Sequence, residues 1–205
     1  MNRFIILAIV LLTVAATSVQ AVGTDQLNQI PLASVLPTGQ VQVDYSYLHT
    51  NPGKTSSLDA RVGLFGSAEI EGTHQLDNNK LDTLSGKVNL TEKNVQFAIG
   101  ATDVNTLTHT PNIFGVAQVN LKKMGLVFGV QRVNTLVTTD EGFGGIFWDV
   151  TKTVRLQADY VAGAENNSSI GIQTEVKNLI LNPYLLRANA PSHQLEAGVG
   201  VGLKF

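Results

Sequence analysis

Beyond Gln40 the chain alternates: apolar and polar residues trade places with a period of two, in runs of eight to ten residues broken by turn residues. VQVDYSYL sets Val41, Val43, Tyr45 and Tyr47 against Gln42, Asp44 and Ser46. SLDARVGLF sets Leu58, Ala60, Val62 and Leu64 against Asp59, Arg61 and Gly63, and AEIEGTHQL resumes with Glu69, Glu71, Thr73 and Gln75 on its polar face. TLSGKVNLT and NVQFAIGATD repeat the pattern. This period is that of a strand with one wet and one dry face. In IFGVAQVNL the phase is mixed, and GLVFGVQR and GFGGIFWDV follow it. VRLQADYVA, SIGIQTEVK, LILNPYLLR and LEAGVGVGLKF complete a set of twelve expected strands. No stretch sustains a helical period.

The connections alternate between tight turns, at Asn78-Asn79, Lys122-Lys123 and Thr151-Lys152, and longer loops such as VNTLTHTPN, VNTLVTTDEG, GAENNS and ANAPSH. That asymmetry suits an up-and-down antiparallel barrel with short turns at one end and loops at the other. The expected fold is therefore an all-β transmembrane barrel of about twelve strands over residues 40–205. A secreted β-sandwich, with its apolar faces packed together, is the alternative. Three features favour lipid around the barrel. The polar face carries charges in mid-strand. A ring of twelve strands is too wide for inward apolar side chains to fill. An even strand count closes without an edge. The 6% aromatic content points the other way, since membrane barrels carry fuller girdles of Trp and Tyr.

The N-terminus supplies a location. MNR is basic, FIILAIVLLTVAA is apolar, and TSVQA carries small residues. Val19 and Ala21 fit positions −3 and −1, so residues 1–21 are expected to be a secretory signal peptide cleaved after Ala21. The apolar run is shorter than the ~20 residues of a spanning helix. Residues 22–39, VGTDQLNQIPLASVLPTG, have no clear period and read as a periplasmic lead-in or an inner plug. The chain has no cysteine, so disulfides play no part. Its formal charge of −2 becomes −3 when Arg3 leaves with the signal, which argues against nucleic acid as a partner.

The C-terminal LEAGVGVGLKF, ending on Phe205, resembles the last strand of Gram-negative outer-membrane barrels. The resemblance implies an outer-membrane location and a role for Phe205 as an assembly signal read by the barrel assembly machinery. GLFGSAEIEG, LSGKVNLTEKNVQFAIGATDVN and FWDVTKTVRLQADYV are similar to segments of YjbH-like barrel proteins, which implies a role around exported polysaccharide.

Little in the chain carries chemistry. His49, His74, His109 and His193 are scattered, without a metal-ligand spacing. His109 and Asp103 lack a nucleophile elbow. No catalysis, cofactor or metal is expected. GFGGIF has no phosphate-loop spacing, and Gly198, Gly200 and Gly202 form an inward row on the last strand, read as close packing or as space for a plug or permeant.

The functional handle is the charge of the lumen. Asp44, Asp59, Arg61, Glu69, Glu71, Lys87, Arg155, Asp159, Glu175, Lys177 and Glu196 are the candidate lumen-lining residues. Their excess of carboxylates favours cations in an open pore. Alternatively, opposite charges pair across the wall and close it, with Arg61 beside Glu69 or Asp59 and Arg155 beside the strand of Glu175. The expected function is a small passive pore or transport-associated channel for small polar solutes. The alternatives are a non-conducting structural or polysaccharide-associated envelope barrel, and a soluble ligand-binding sandwich. Expected partners are outer-membrane lipid, the assembly machinery, and small polar solutes or polysaccharide.

Overall fold

In the computed structural model the described residues are 27–50, 53–77, 82–91, 93–104, 110–134, 138–163, 166–189 and 194–205. The expected signal peptide, residues 22–26 of the expected lead-in or plug, the expected turn Asn78-Asn79, His109 and His193 lie outside them. The chain forms β1 (Val41–Thr50), β2 (Gly53–Leu64), β3 (Ala68–Gln75), β4 (Thr83–Asn89), β5 (Val95–Thr102), β6 (Asn112–Leu121), β7 (Met124–Asn134), β8 (Thr138–Asp149), β9 (Val154–Val161), β10 (Asn167–Val176), β11 (Leu179–Ala188) and β12 (Leu195–Lys204). Each strand pairs antiparallel with the next, and β1 pairs with β12, so the sheet closes into a barrel. The expected twelve-stranded antiparallel barrel is thus the fold, and the sandwich is set aside.

Closure explains the pattern at the C-terminus. The register of β1 on β12 runs from Gln42↔Lys204 to His49↔Ala197. Beyond it the Phe205 amide donates to the Val41 carbonyl at 2.8 Å, and the Val41 amide donates to the Phe205 carbonyl at 3.1 Å. The last strand therefore leaves no unpaired edge. Its tight packing has a local cause: Gly198 lies in register with Tyr184, whose ring covers the space a Cβ would fill. Gly100 with Phe114, Gly125 with Phe147 and Gly129 with Phe143 repeat this glycine–aromatic pairing on the inner wall.

Of the expected tight turns, Lys122-Lys123 and Thr151-Lys152 lie at the end that holds the start of β1 and the C-terminus, whereas Asn78-Asn79 lies outside the described residues. Lys122 and Lys177 begin two-residue turns with φ of +43° and +56°, and Phe65 at +52° precedes Gly66 at +72°. At the other end the strands outlast the expected loops. β7 and β8 stay paired up to Asn134↔Thr138, through residues that the sequence assigns to a long loop. Polar residues on both faces hide the alternation there, while the ladder hydrogen bonds continue.

The burial pattern is inverted relative to a soluble protein. Arg61, Glu69, Lys87, Arg155, Asp159 and Lys204 are buried, whereas Val130, Ile170, Leu195, Phe128 and Trp148 are exposed. The side chains of each strand alternate between these environments, so charges go inward and large apolar groups outward. The apolar band ends near Arg132, which is in register with Asp140 and pairs with it at 2.7 Å on the exposed outer face.

Candidate functional site: the lumen and the segment within it

A group of the most deeply buried side chains belongs to no strand. Leu27, Ile30, Leu32, Ala33 and Leu36 are between 0 and 2% exposed. They lie on the segment that precedes β1, and this segment runs inside the barrel. It joins the wall at the tight-turn end, where Thr38 pairs parallel with Gly63 of β2. The Gly39 amide donates to the Gly63 carbonyl at 2.9 Å, and the Gly63 amide donates to the Gln40 carbonyl at 3.0 Å. A Cβ at Gly63 would overlap the carbonyls of Leu36 and Pro37, so only glycine lets the segment approach this closely.

From there the segment crosses two kinds of wall. β5 to β8 present apolar groups to the lumen: Ala98, Phe114, Val116, Val127, Phe143 and Phe147. Leu27, Ile30, Leu32 and Ala33 pack against this patch. Gly145 leaves room for Leu27 and Ile30, whose methyl groups fill the space a Cβ would need. The mixed phase of IFGVAQVNL has its reason here. Phe114 and Val116 point inward and Ile113, Ala117 and Val119 outward, and both faces of the strand are dry because the inner one is covered.

The polar walls hold the segment's backbone. The Leu36 amide donates to Glu69 Oε2 at 3.0 Å, and the Ala33 amide to Gln118 Oε1 at 3.1 Å. Lys87 Nζ donates to the Leu32 carbonyl at 3.1 Å, and Asn89 Nδ2 to the Ala33 carbonyl at 2.6 Å. Farther in, the Gln29 amide and Nε2 both donate to Asp159, at 3.1 and 2.9 Å. Asn28 donates to Ser169 Oγ at 2.8 Å and accepts from Gln157 Nε2 at 2.7 Å. A non-helical segment needs such partners, since an unpaired buried amide or carbonyl is costly.

The sequence-derived lumen residues fall in three groups. Asp44, Asp59, Arg61 and Glu71 surround a cavity of about 300 Å³, with Gln42, Ser57, Thr73, Asn182 and Asn28. Glu69, Glu71 and Lys87 line a second one of about 150 Å³, beside Gln29 and Pro31. Arg155, Asp159 and Glu175 are buried and line neither cavity. Glu196 is half-buried on the inward phase of β12, opposite Leu186, and lines neither cavity.

Lys177 needs correction: it is exposed in the turn between β10 and β11, because the strand alternation stops at Val176. Ion pairs other than those expected also form. Arg61 pairs with Asp44 of β1. Arg155 donates to Asp149 at 2.7 Å and lies 4.0 Å from the centre of the Phe147 ring. Glu175 accepts from Lys204 at 2.8 Å.

The same inward phase also carries neutral polar groups that are absent from the candidate lumen residues: Gln42, Gln118, Gln157, Gln173 and Ser169, all buried. Their place in the period-two register was the available signal. For catalysis the described residues offer nothing assembled. His49 is exposed, His74 pairs with Asp82 on exposed surface, and no group of three metal-ligating side chains converges among the described residues.

No family model matches the chain, and no curated protein does. The finer likeness to YjbH-like barrels therefore gains no support. Among solved structures, the chain is similar to the KdgM porin, at 10% identity and a TM-score of 0.62 over 80% of this chain and 99% of that one. The KdgM porin in complex with disordered oligogalacturonate gives 10% identity and 0.63 over the same shares. At this identity the likeness is one of fold.

Proposed function

We propose that this protein is an outer-membrane channel for small polar solutes, with residues 27–36 as a plug built into its lumen. The observation that carries the reading is the inverted burial: charged side chains line the interior while a band of Val, Ile, Leu, Phe and Trp is exposed outside. Such an exterior is stable only in apolar surroundings, and closure satisfies every strand edge there. The fold likeness to porins supports transport, and the interior keeps two polar spaces beside the segment. No catalytic step is needed. An acidic sugar polymer of the oligogalacturonate kind is not carried over, because carboxylates outnumber cations around both spaces.

A second reading has its own observation. The segment fills the apolar side of the lumen with fully buried side chains and fixes its backbone to four or more wall groups, as expected of a closed structural barrel. Conductance separates the two. The purified full chain is inserted into planar bilayers, beside the double variant Ile30→Asn/Leu32→Asn, which weakens the segment's seat on the apolar wall. The channel reading expects small steps from the wild type and larger ones from the variant. Silence from both, with heat-dependent gel mobility showing intact barrels, supports the structural barrel instead.

A further inference from the structure

The two cavities share one lining residue and together mark out a route beside the segment. The larger one begins near the tight-turn end, at Gln42, Arg61 and Gly202, and reaches Ser57 and Thr73. The smaller one extends to Thr102 and Gln131, at the loop ends of β5 and β7. Glu71 lines both, and the segment flanks both, with Leu27 and Asn28 on one and Gln29 and Pro31 on the other. The route runs beside the segment, past the inner faces of β11, β12 and β1 to β4, toward the loop ends of β5 and β7.

Its lining has a sign. Asp44, Asp59, Glu69 and Glu71 face it, with Arg61 and Lys87 as the cations, a formal excess of two negative charges. Both cations are engaged: Arg61 with Asp44, and Lys87 with the Leu32 carbonyl and, at 3.7 Å, with Glu69. The neutral lining is rich in oxygen, from Ser46, Ser57, Thr73, Ser85 and Asn182. Gln42 gives an independent pointer. It is only 1% exposed and lines the larger cavity, and its Nε2 donates to both oxygens of Asp44, yet its Oε1 has no hydrogen-bond partner. A buried acceptor oxygen beside carboxylates invites a donor or a cation.

We propose that this route is a cation path, with Glu71 at the junction of its two halves, and that the solutes it passes are small and positively charged. The proposal rests on the channel reading above and names its substrate class. Carboxylates along a narrow, low-dielectric passage stabilise a cation that has shed part of its water and repel an anion.

The test is the reversal potential of the full-length barrel in planar bilayers under a KCl gradient. Potassium is expected to permeate severalfold better than chloride. Glu71→Gln keeps the shape of the junction and is expected to cut that ratio by roughly half or more. Asp59→Asn gives an independent reduction, so a folding failure of one variant leaves the other informative. Asp140→Asn, on the exposed outer face, is expected to leave the ratio unchanged. Conduction without cation preference, or a preference untouched by both Glu71→Gln and Asp59→Asn, overturns this inference and leaves the channel reading standing. Silence from both the wild type and Ile30→Asn/Leu32→Asn overturns the channel reading itself.

Discussion

The inner wall has two faces that do different work. From β5 to β8 it is apolar, built of Ala98, Val116, Val127, Phe143 and Phe147, with glycines where bulk must be omitted. The rest of the wall carries the buried charges and the other buried amides, with Gln118 of β6 set within the apolar face. The inserted segment answers both. Its side chains sink into the apolar face, and its backbone amides and carbonyls find partners on the polar ones. The apolar face supplies most of the attraction, because each buried Leu or Ile contributes about 1.5–3 kcal/mol over exposure. The polar faces contribute less net energy and more direction, since hydrogen bonds inside replace bonds to water. Arg155, stacked on Phe147 and bound to Asp149, sits where the two faces meet.

That contrast can be broken from either side. The largest effect is expected from Leu32→Asp, which places an uncompensated carboxylate against the apolar face and costs several kcal/mol. The segment should leave its seat, and limited proteolysis of refolded barrels should then cleave within residues 27–36. A protected segment in that variant would mean that the apolar face does not hold it. Leu32→Ala removes contacts without adding charge and is expected to weaken the seat by about 2–5 kcal/mol. The rate of cleavage should fall between those of the wild type and Leu32→Asp.

Gly145→Val intrudes on the space used by Leu27 and Ile30. Overpacking of this kind costs about 1–3 kcal/mol, and the same proteolysis series should rank it near or below Leu32→Ala. On the polar side, Asp159→Asn removes the charge that accepts from the Gln29 amide and Nε2. A hydrogen bond to a charged group is worth about 1.5–3 kcal/mol, and the amide oxygen of Asn recovers part of it. Hydrogen exchange should quicken at Gln29 while Leu36, anchored on Glu69, stays protected. The smallest effect belongs to Arg132→Ala. Its exposed pair with Asp140 is screened by water, and the heat-modified gel shift should occur at an unchanged temperature.

How much of this was legible beforehand differs by element. β11 turns Ile180 and Leu186 inward. By contrast, β1 to β5, β9, β10 and β12 show their inward polar phase openly, since Asp59, Arg61, Glu69, Lys87 and Asp159 alternate with outward apolar residues. β6 to β8 do not, because Phe114, Val127 and Phe143 line a lumen that something else keeps dry. The mixed phase recorded that fact without naming its cause. Lys177 went astray for a simpler reason: one residue past the end of a strand, alternation no longer says where a side chain points. The ion pairs escaped because strand register, which fixes partners such as Asp149 and Arg155, depends on turn lengths.

The period-two pattern by itself determined most of the strands, their number and the division of each into a polar and an apolar face, because these follow from local backbone geometry. Which face turns inward and the closure of the ring on β1 and β12 were decided by the tertiary structure. The place of residues 27–36, the route left beside them and the partners of each charge were decided only by the tertiary structure. Those depend on which surfaces meet across the lumen. Residues as distant as Gln29 and Asp159 come together there only when the whole sheet has closed.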